Sequence, residues 1–200
     1  MSRVLVKICG ITCVEDALAA VEAGADALGF NFFPGSPRCI TVEKAVEITA
    51  GVPQNTVKAG VFVDTPPEEI ARTVRAAGLD VAQVHGEARG LTVRFWQALA
   101  AGPGLEERTR TSAAEAFLID TPAGAQRGGT GRVFDWGLVE GLPGKIILAG
   151  GLGPDNVAEA IRQVRPWGVD ACSRIESAPG RKDAAKVRAL IKAVREAEGS

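Results

Sequence analysis

Two reactive side chains stand where short apolar runs of the sequence end. Cys9 closes the run VLVKIC and is followed at once by a glycine, and Asp120 closes AFLID. A free thiol has a pKa of about 8.5, and nearby positive charge lowers it, so a thiolate base is feasible near neutral pH. The two residue types therefore indicate general acid-base chemistry. The alternatives are an inert, buried Cys9 and an Asp120 that caps a loop or pairs with a cation.

Three glycine-rich segments in the second half of the chain indicate a phosphate site. They are RGGTG at 127–131, AGGLGPDN at 149–156 and SRIESAPG at 173–180. Glycine lets successive backbone N–H groups converge on one anion, and the start of a helix adds a favourable dipole. The alternative for any single segment is a tight turn without a ligand. Together the segments predict phosphate contacts from Gly129, Gly131, Gly150, Gly151, Ser173 and Arg174.

Three further polar side chains are candidates for binding a substrate. Arg38 lies in the loop SPR, and its planar guanidinium suits a carboxylate. Gln83 and His85 lie in the run VAQVH, where His85 could tune an acid or bond to a substrate. The alternatives are a solvated loop charge for Arg38 and a satisfied polar group at a strand end for His85. We expect Gln83 and His85 to lie near the substrate.

Eight short apolar runs alternate with segments of helical period, as in a series of βα units. The predicted strands are residues 4–9, 27–32, 57–63, 81–85, 95–99, 116–120, 145–150 and 169–173. The predicted helices are residues 14–24, 42–51, 66–78, 154–164 and 183–198. Thr65 with Glu68 predicts a capping box for the third of these helices. Residues 87–115 leave little room for two helices, so short or irregular helices are predicted there.

A weak repeat sets the number of units. GAD at 24–26, GLD at 78–80 and GVD at 168–170 are predicted to join a helix end to the next strand. Their spacing corresponds to about 24 residues per βα unit, so eight units nearly fill the 200 residues. We therefore predict a single (β/α)8 (TIM) barrel domain over residues 1–200, rather than an open doubly wound sheet. Such a barrel places active-site residues at the carboxyl ends of its strands, with Cys9 and Asp120 at opposite parts of the ring.

The composition is that of an ordinary globular protein, with 46% hydrophobic residues, 24% charged residues and a formal charge of -1. The sequence has no basic field to bind nucleic acid or anionic lipid, and no apolar run of membrane-spanning length. Since the N-terminus has no secretion signal, we expect a cytoplasmic protein whose four cysteines are free thiols. A single histidine and no second close cysteine pair argue against a metal site.

Eight motifs follow one another in a specific order. They are VKICGIT, GADALGF, SPR, GVFVD, VAQVHG, FLID with GGTGRVFDW, ILAGGLGPDNV and PGRKD. Together they cover nearly the whole chain and resemble the phosphoribosylanthranilate isomerase family of tryptophan biosynthesis. The resemblance implies an Amadori rearrangement of N-(5-phosphoribosyl)anthranilate to 1-(2-carboxyphenylamino)-1-deoxyribulose 5-phosphate, by an isomerase that uses neither cofactor nor metal.

The resemblance also implies roles for residues of this sequence. Asp120 would protonate the ribose ring oxygen to open the ring into an iminium ion, and Cys9 would then take the C2' proton. Arg38 would hold the anthranilate carboxylate. Arg174 stands where the family usually has glycine, so its side chain is predicted either to point away or to contact the phosphate or Glu176. The phosphate would be held by the backbone around Gly131, Gly150, Gly151, Ser173 and Arg174.

Two other functions stay open at this point. One is a related phosphosugar isomerase of histidine biosynthesis, although those barrels resemble two fused halves and have aspartate where Cys9 stands. The other is a non-catalytic barrel that binds a phosphorylated metabolite, which only Arg174 encourages. In each case the predicted partner is a phosphorylated small molecule, with no nucleic acid and no membrane. The predicted oligomeric state is monomer or homodimer.

Overall fold

The chain closes eight parallel strands into one barrel. The computed structural model describes residues 3–122 and 134–199. The strands follow one another around the ring in sequence order, and β1 pairs with β8 to close it. The strands are β1 (Leu5–Cys9), β2 (Ala27–Asn31), β3 (Val57–Val63), β4 (Val81–His85), β5 (Phe95–Ala100), β6 (Ala116–Asp120), β7 (Ile146–Leu148) and β8 (Gly168–Ala171). The predicted (β/α)8 barrel is confirmed.

Helices cover the outside of the strands in the described part of the chain. They are α1 (Val14–Glu22), α2 (Val42–Thr49), α3 (Pro67–Ala76), α4 (Leu105–Thr111), α5 (Val157–Val164) and α6 (Ala184–Glu198). After β8 comes a short antiparallel hairpin of β9 (Glu176–Ala178) and β10 (Arg181–Lys182). Across residues 3–122 and 134–199, no helix combines the length and apolarity needed to cross a bilayer.

The start of α3 differs from its prediction. The helix itself forms because Ile70, Ala71 and Val74 recur at helical spacing and are buried against the barrel. The predicted capping box is wrong, since Pro66 takes the N-cap position and no side chain caps the helix. Thr65 therefore stands one residue too early to reach the free N–H groups of the first turn. Its hydroxyl instead donates to the backbone oxygen of Val63, the last residue of β3, at 3.1 Å.

The segment from residue 87 to residue 115 has the short, irregular structure predicted for it. Turns without a helix join β4 to β5, and the next connection holds only the seven-residue α4. A groove of about 820 Å³ lies against Phe95 and Gln97, where other connections place a helix. Between β6 and β7 the described residues include a 3-10 turn, Trp136–Val139, that buries both of its terminal side chains.

The lumen of the barrel becomes polar towards the carboxyl ends of the strands. Alternate strand residues point inward, and most of them form one apolar cluster: Ala27, Ala59, Val81, Trp96, Ala98, Ala116, Leu118, Ile147 and Ala149. At the carboxyl ends the inward positions are held by Cys9, Gln83, Asp120 and Asp170, which face a cavity. The apolar cluster thus forms a packed floor below a polar mouth.

The repeated Gly-X-Asp motif has two different structural roles. Asp26 and Asp80 precede β2 and β4, and each accepts a hydrogen bond from the backbone N–H of the preceding strand in sequence, Val6 at 2.9 Å and Lys58 at 2.8 Å. Asp170 instead lies inside β8, because that strand begins two residues earlier. The prediction that every copy joins a helix end to a strand is therefore wrong for the third copy, whose carboxylate points into the lumen.

Candidate active site

Two adjoining cavities open at the carboxyl ends of the strands. The larger, of about 670 Å³, is lined by five predicted site residues: Cys9, Arg38, Gln83, His85 and Asp120. The smaller, of about 40 Å³, shares Asp120 with it and is lined by three more, Gly150, Gly151 and Ser173. The predicted Gly129 and Gly131 lie outside the described residues. A wide cavity beside a small, glycine-lined one suits a ligand with a bulky end and a compact anionic end.

Cys9 ends β1 and is 8% exposed. The Cys172 thiol, beyond the end of β8, donates a hydrogen bond to the Cys9 sulfur. This bond and the positive charges of Lys7 and Lys182 lower the pKa of Cys9 although burial opposes them. Conversely, its role as donor raises the pKa of Cys172. An inert thiol in apolar surroundings would have a raised pKa, so the arrangement favours a thiolate at position 9.

A buried ion pair next to Cys9 was missed by the sequence reasoning. Lys7 is fully buried in the lumen, and its Nζ lies 2.8 Å from Asp170 Oδ1. Burial alone would lower the pKa of Lys7, but the negative charges of Asp170 and Cys9 outweigh it, so the pKa is raised. The available signal was a lysine in an apolar strand, two residues before Cys9, because strand alternation places both side chains on one face.

Asp120 ends β6 and faces the same cavity from another part of the ring. Burial raises the pKa of its carboxyl group, and negative charge at Cys9 raises it further. The backbone N–H of Thr121, 2.7 Å from Oδ1, opposes this without cancelling it. The pKa values of Asp120 and Cys9 are thus shifted in opposite directions, as an acid and a base in one site require.

Arg38 is held over the cavity by Glu176. This contact was not predicted from the sequence. Arg38 Nε and Nη2 donate to the two carboxylate oxygens of Glu176 at 2.8 and 2.7 Å, and Lys182 Nζ lies 2.9 Å from the same carboxylate. Burial would raise the pKa of Glu176, but the hydrogen bonds and charges of Arg38 and Lys182 lower it. The two hydrogen bonds to Glu176 use Nε and Nη2 of the Arg38 guanidinium, and Nη1 takes no part in them.

Arg174 lies beside the small cavity and points away from it. Its Nη2 lies 2.5 Å from Asp155 Oδ2, and its Nη1 donates to Gly151 O at 3.2 Å. The predicted alternative of a contact with Glu176 is therefore wrong, because the loop after β7 offers Arg174 a nearer carboxylate. The side chain ties the loops after β7 and β8 together.

The glycines after β7 adopt a backbone that other residues rarely allow. Gly150 and Gly151 have φ angles of 83° and 65°. A Cβ at position 150 would stand 2.9 Å from Asp120 Oδ1 and would collide with Thr121. Glycine at 150 therefore lets this loop approach the end of β6 closely. Asn156 fixes the loop, because its side chain accepts from the N–H of residue 153 at 2.8 Å and donates to Gly151 O at 3.0 Å.

Gln83 and His85 lie side by side at the end of β4. Gln83 Nε2 is 3.2 Å from His85 Nε2. Gln83 is 2% exposed, and its Oε1 has no hydrogen-bond partner among the described residues. A buried acceptor left without a donor costs about 1–3 kcal/mol. Gln83 also lines the larger cavity, so its side chain lies where a ligand would bind.

The chain is similar in sequence to one family of known proteins. The family model described as N-(5'phosphoribosyl)anthranilate (PRA) isomerase matches residues 6–193. A protein of Solibacter usitatus (strain Ellin6076) named N-(5'-phosphoribosyl)anthranilate isomerase is 45% identical over 203 residues, which cover 98% of this chain and 100% of the relative. The match therefore extends over essentially the full length of both proteins.

Solved structures with the same fold carry the same name. Phosphoribosyl anthranilate isomerase from Thermus thermophilus superposes with a TM-score of 0.88 at 39% identity, covering 96% of this chain and 98% of that one. A second phosphoribosyl anthranilate isomerase, in complex with reduced 1-(o-carboxyphenylamino)-1-deoxyribulose 5-phosphate, has a TM-score of 0.86 at 36% identity and covers 96% and 99%. The sequence match and both structural matches cover almost the whole chain, and the chain belongs to the N-(5'phosphoribosyl)anthranilate (PRA) isomerase family.

Proposed function

We propose that this chain performs the Amadori rearrangement of its family with Cys9 as the general base and Asp120 as the general acid. The observation that carries the proposal is their placement on β1 and β6, facing one cavity with pKa values shifted in opposite directions. A ligand that spans the mouth then has a proton donor on one side and a proton acceptor on the other.

The reaction follows from these two positions. Asp120 donates its proton to the ribose ring oxygen, the C1'–O bond breaks, and the anilino nitrogen stabilises the resulting cation as an iminium ion. The Cys9 thiolate then removes the proton from C2', which gives an enolamine. Tautomerisation of the enolamine to the ketone completes the rearrangement. The steps are proton transfers and one ring opening driven by the anilino nitrogen, so the proposal requires neither metal nor cofactor.

The two charged ends of the substrate would be held by the two cavities. Arg38, aligned by Glu176, would bind the anthranilate carboxylate through the edge of the guanidinium that the ion pair does not use. The phosphate would lie in the small cavity against backbone N–H groups of Gly150, Gly151, Ser173 and Arg174. Gly129 and Gly131 stay predicted members of this phosphate site. Anchoring both ends fixes the reacting carbon between base and acid.

Gln83 and His85 complete the site on the side away from the phosphate. β4 lies opposite β8 in the ring, so Gln83 faces the part of the ligand furthest from the glycine loops. Gln83 Oε1, which has no hydrogen-bond partner within residues 3–122 and 134–199, would accept a hydrogen bond from the anilino N–H or a ribose hydroxyl group. The ligand of the solved relative supports this layout, since reduced 1-(o-carboxyphenylamino)-1-deoxyribulose 5-phosphate has a carboxyphenyl group and a phosphate at opposite ends.

The oligomeric state of the chain stays a prediction of monomer or homodimer. One similar structure is titled as monomers generated from the dimeric enzyme of Thermotoga maritima. Each proposed catalytic and binding residue lies on one chain, so the proposal does not depend on the outcome. Analytical ultracentrifugation would decide between the two states.

The fluorescence decay of freshly prepared phosphoribosylanthranilate tests the proposed roles. Cys9→Ala and Asp120→Asn are each expected to lower turnover at least about 100-fold, the usual scale for losing a general base or acid. Cys39→Ala is the matched control, because Cys39 is an exposed thiol outside the cavities and its loss should leave turnover unchanged. Turnover within tenfold of the unsubstituted protein in either site variant, with the fold intact by circular dichroism, would reject that role.

A further inference from the structure

The proposed reaction leaves one buried ion pair without a task. Lys7 has no exposed surface, and Asp170 is its partner at 2.8 Å. Taking two charges out of water is unfavourable, and apolar residues of similar size would stabilise a barrel at least as well. None of the proton transfers described above involves Lys7. The pair therefore points to a contribution other than stability.

The geometry places that contribution at Cys9. Lys7 and Cys9 point inward from the same strand with one residue between them. Cys9 pairs in register with Gly29 on β2. A Cβ at position 29 would lie 2.9 Å from Lys7 Nζ and 2.7 Å from Cys9 Sγ. The ammonium group and the sulfur therefore share the space that the glycine leaves open, and no side chain from β2 separates them.

The charges around Cys9 balance when its sulfur is ionised. The cations Lys7, Arg38 and Lys182 outnumber the ion-paired carboxylates of Asp170 and Glu176 by one. With Asp120 protonated as the acid, a thiolate at Cys9 brings the sum to zero. The charged and titratable groups that act on Cys9 lie on several elements. They are Lys7 on β1, Arg38 after β2, Asp120 on β6, Asp170 on β8, Cys172 after β8 and Lys182 on β10.

We propose that Lys7 is a positioning residue for the base, whose ammonium group, oriented by Asp170, holds the Cys9 sulfur as a thiolate beneath the substrate. The proposal rests on the function proposed above, in which Cys9 removes the C2' proton. A neutral thiol cannot take that proton, so the ionised fraction of Cys9 sets the rate below its pKa. Without Lys7, burial would act against the thiolate with less to oppose it.

Alkylation by iodoacetamide tests Lys7 without measuring turnover, because only the thiolate reacts. The rate at Cys9 is followed by mass spectrometry in a Cys13→Ser background, since both cysteines fall on one tryptic peptide. Lys7→Met is expected to raise the pH midpoint of alkylation by about 1–2 units, the usual effect of a nearby opposite charge. Lys7→Arg keeps the charge and should restore the original midpoint.

The same variants make a matching prediction for turnover. In Lys7→Met, kcat/KM at pH 7 should fall about 10- to 100-fold and recover as the pH rises past the new midpoint. Lys58→Met is the matched control, because Lys58 is also buried and paired with an aspartate, at 3.1 Å, but away from the cavities. Its alkylation midpoint and pH profile should stay those of the unsubstituted protein.

A second variant keeps the proposal testable if Lys7→Met does not fold. Asp170→Asn keeps an oxygen that can accept from the Lys7 ammonium group and removes a negative charge that acts on Cys9, so the alkylation midpoint of Cys9 should move down. An unchanged midpoint in Lys7→Met or in Asp170→Asn would overturn the proposal. A Lys7→Arg midpoint as high as that of Lys7→Met would also overturn it, because the charge alone would then have no effect.

Failure of this proposal can be told apart from failure of the proposed function. If Cys9→Ala retained turnover, Cys9 would not be the base, yet alkylation would still report whether Lys7 ionises it. If Cys9→Ala lost turnover and Lys7→Met left the midpoint unchanged, only the role of Lys7 would be rejected.

Discussion

The two ends of the barrel use aspartates in opposite ways. At the amino ends of the strands, Asp26 and Asp80 accept hydrogen bonds from backbone N–H groups and pair with Arg195 and Lys58. At the carboxyl ends, Asp120 and Asp170 face a cavity, and burial raises the pKa of both carboxyl groups. The aspartates at the amino ends connect neighbouring strands to one another. The aspartates at the carboxyl ends are titratable groups held in a buried environment.

The difference shows where the fold accepts unfavourable contacts. The carboxyl end combines a buried ion pair at Lys7 with a buried, unpartnered oxygen on Gln83. A buried ion pair and an unsatisfied buried oxygen are each unfavourable to bury, and Gln83 and Asp170 both line the larger cavity. The amino end has satisfied its charges with backbone groups and neighbouring cations. Substitutions at the carboxyl end should therefore change activity more than stability, and substitutions at the amino end the reverse.

The largest effect in this comparison is expected from Gly29→Ala. The new methyl group would stand 2.7 Å from Cys9 Sγ and 2.9 Å from Lys7 Nζ, so both groups would have to move. Because misplacing a reacting group by about 1 Å costs about 100-fold, kcat/KM should fall by at least that factor. Gly51→Ala is the control, since its nearest neighbour would be 3.8 Å away. Activity within tenfold of the unsubstituted protein would show that the pocket does not need this space.

A smaller effect is expected from Arg38→Lys. Lysine keeps the charge but loses the planar fork, so it cannot bind Glu176 and a carboxylate at once with the same geometry. KM should rise about tenfold, equivalent to about 1.4 kcal/mol, with a smaller change in kcat. Arg94→Lys is the control, because Arg94 makes the same two-bond fork with Glu115 on the exposed surface. An unchanged KM in Arg38→Lys would remove this residue from the substrate site.

The smallest effect on activity is expected at the amino end, from Asp26→Ala. This change removes the acceptor for Val6 N–H and the partner of Arg195, which lie 2.9 and 2.7 Å away. The free energy of unfolding should fall by about 2 kcal/mol, measured by urea denaturation, while kcat and KM stay unchanged. A tenfold loss of kcat in a folded Asp26→Ala protein would break the division between the two ends.

Most of the fold could be predicted because each strand is a local apolar run. The bounds of β3, β4 and β6 agree with the prediction to the residue. Once the strands are placed, the closed ring itself brings their carboxyl ends together, and with them the eight predicted residues that line the cavities. The capping box failed because a proline beside the cap overrode a local sequence pattern.

The parts that could not be predicted depend on contacts between distant segments. Lys7 and Asp170 are 163 residues apart, and Arg38 and Glu176 are 138 apart. A single sequence contains no information on which buried cation meets which carboxylate across such separations. The side-chain direction of Arg174 likewise depends on a carboxylate in another loop. Only the alternation that places Lys7 on the same face as Cys9 was readable in advance.

A crystal structure of this chain with reduced 1-(o-carboxyphenylamino)-1-deoxyribulose 5-phosphate tests the account most directly. We expect the phosphate to lie against the N–H groups after β7 and β8, the carboxylate to lie on Arg38, and the ribulose C2 to lie between Cys9 Sγ and the Asp120 carboxyl group. A ligand bound with its phosphate away from those loops, or with its sugar out of reach of either Cys9 or Asp120, would contradict it.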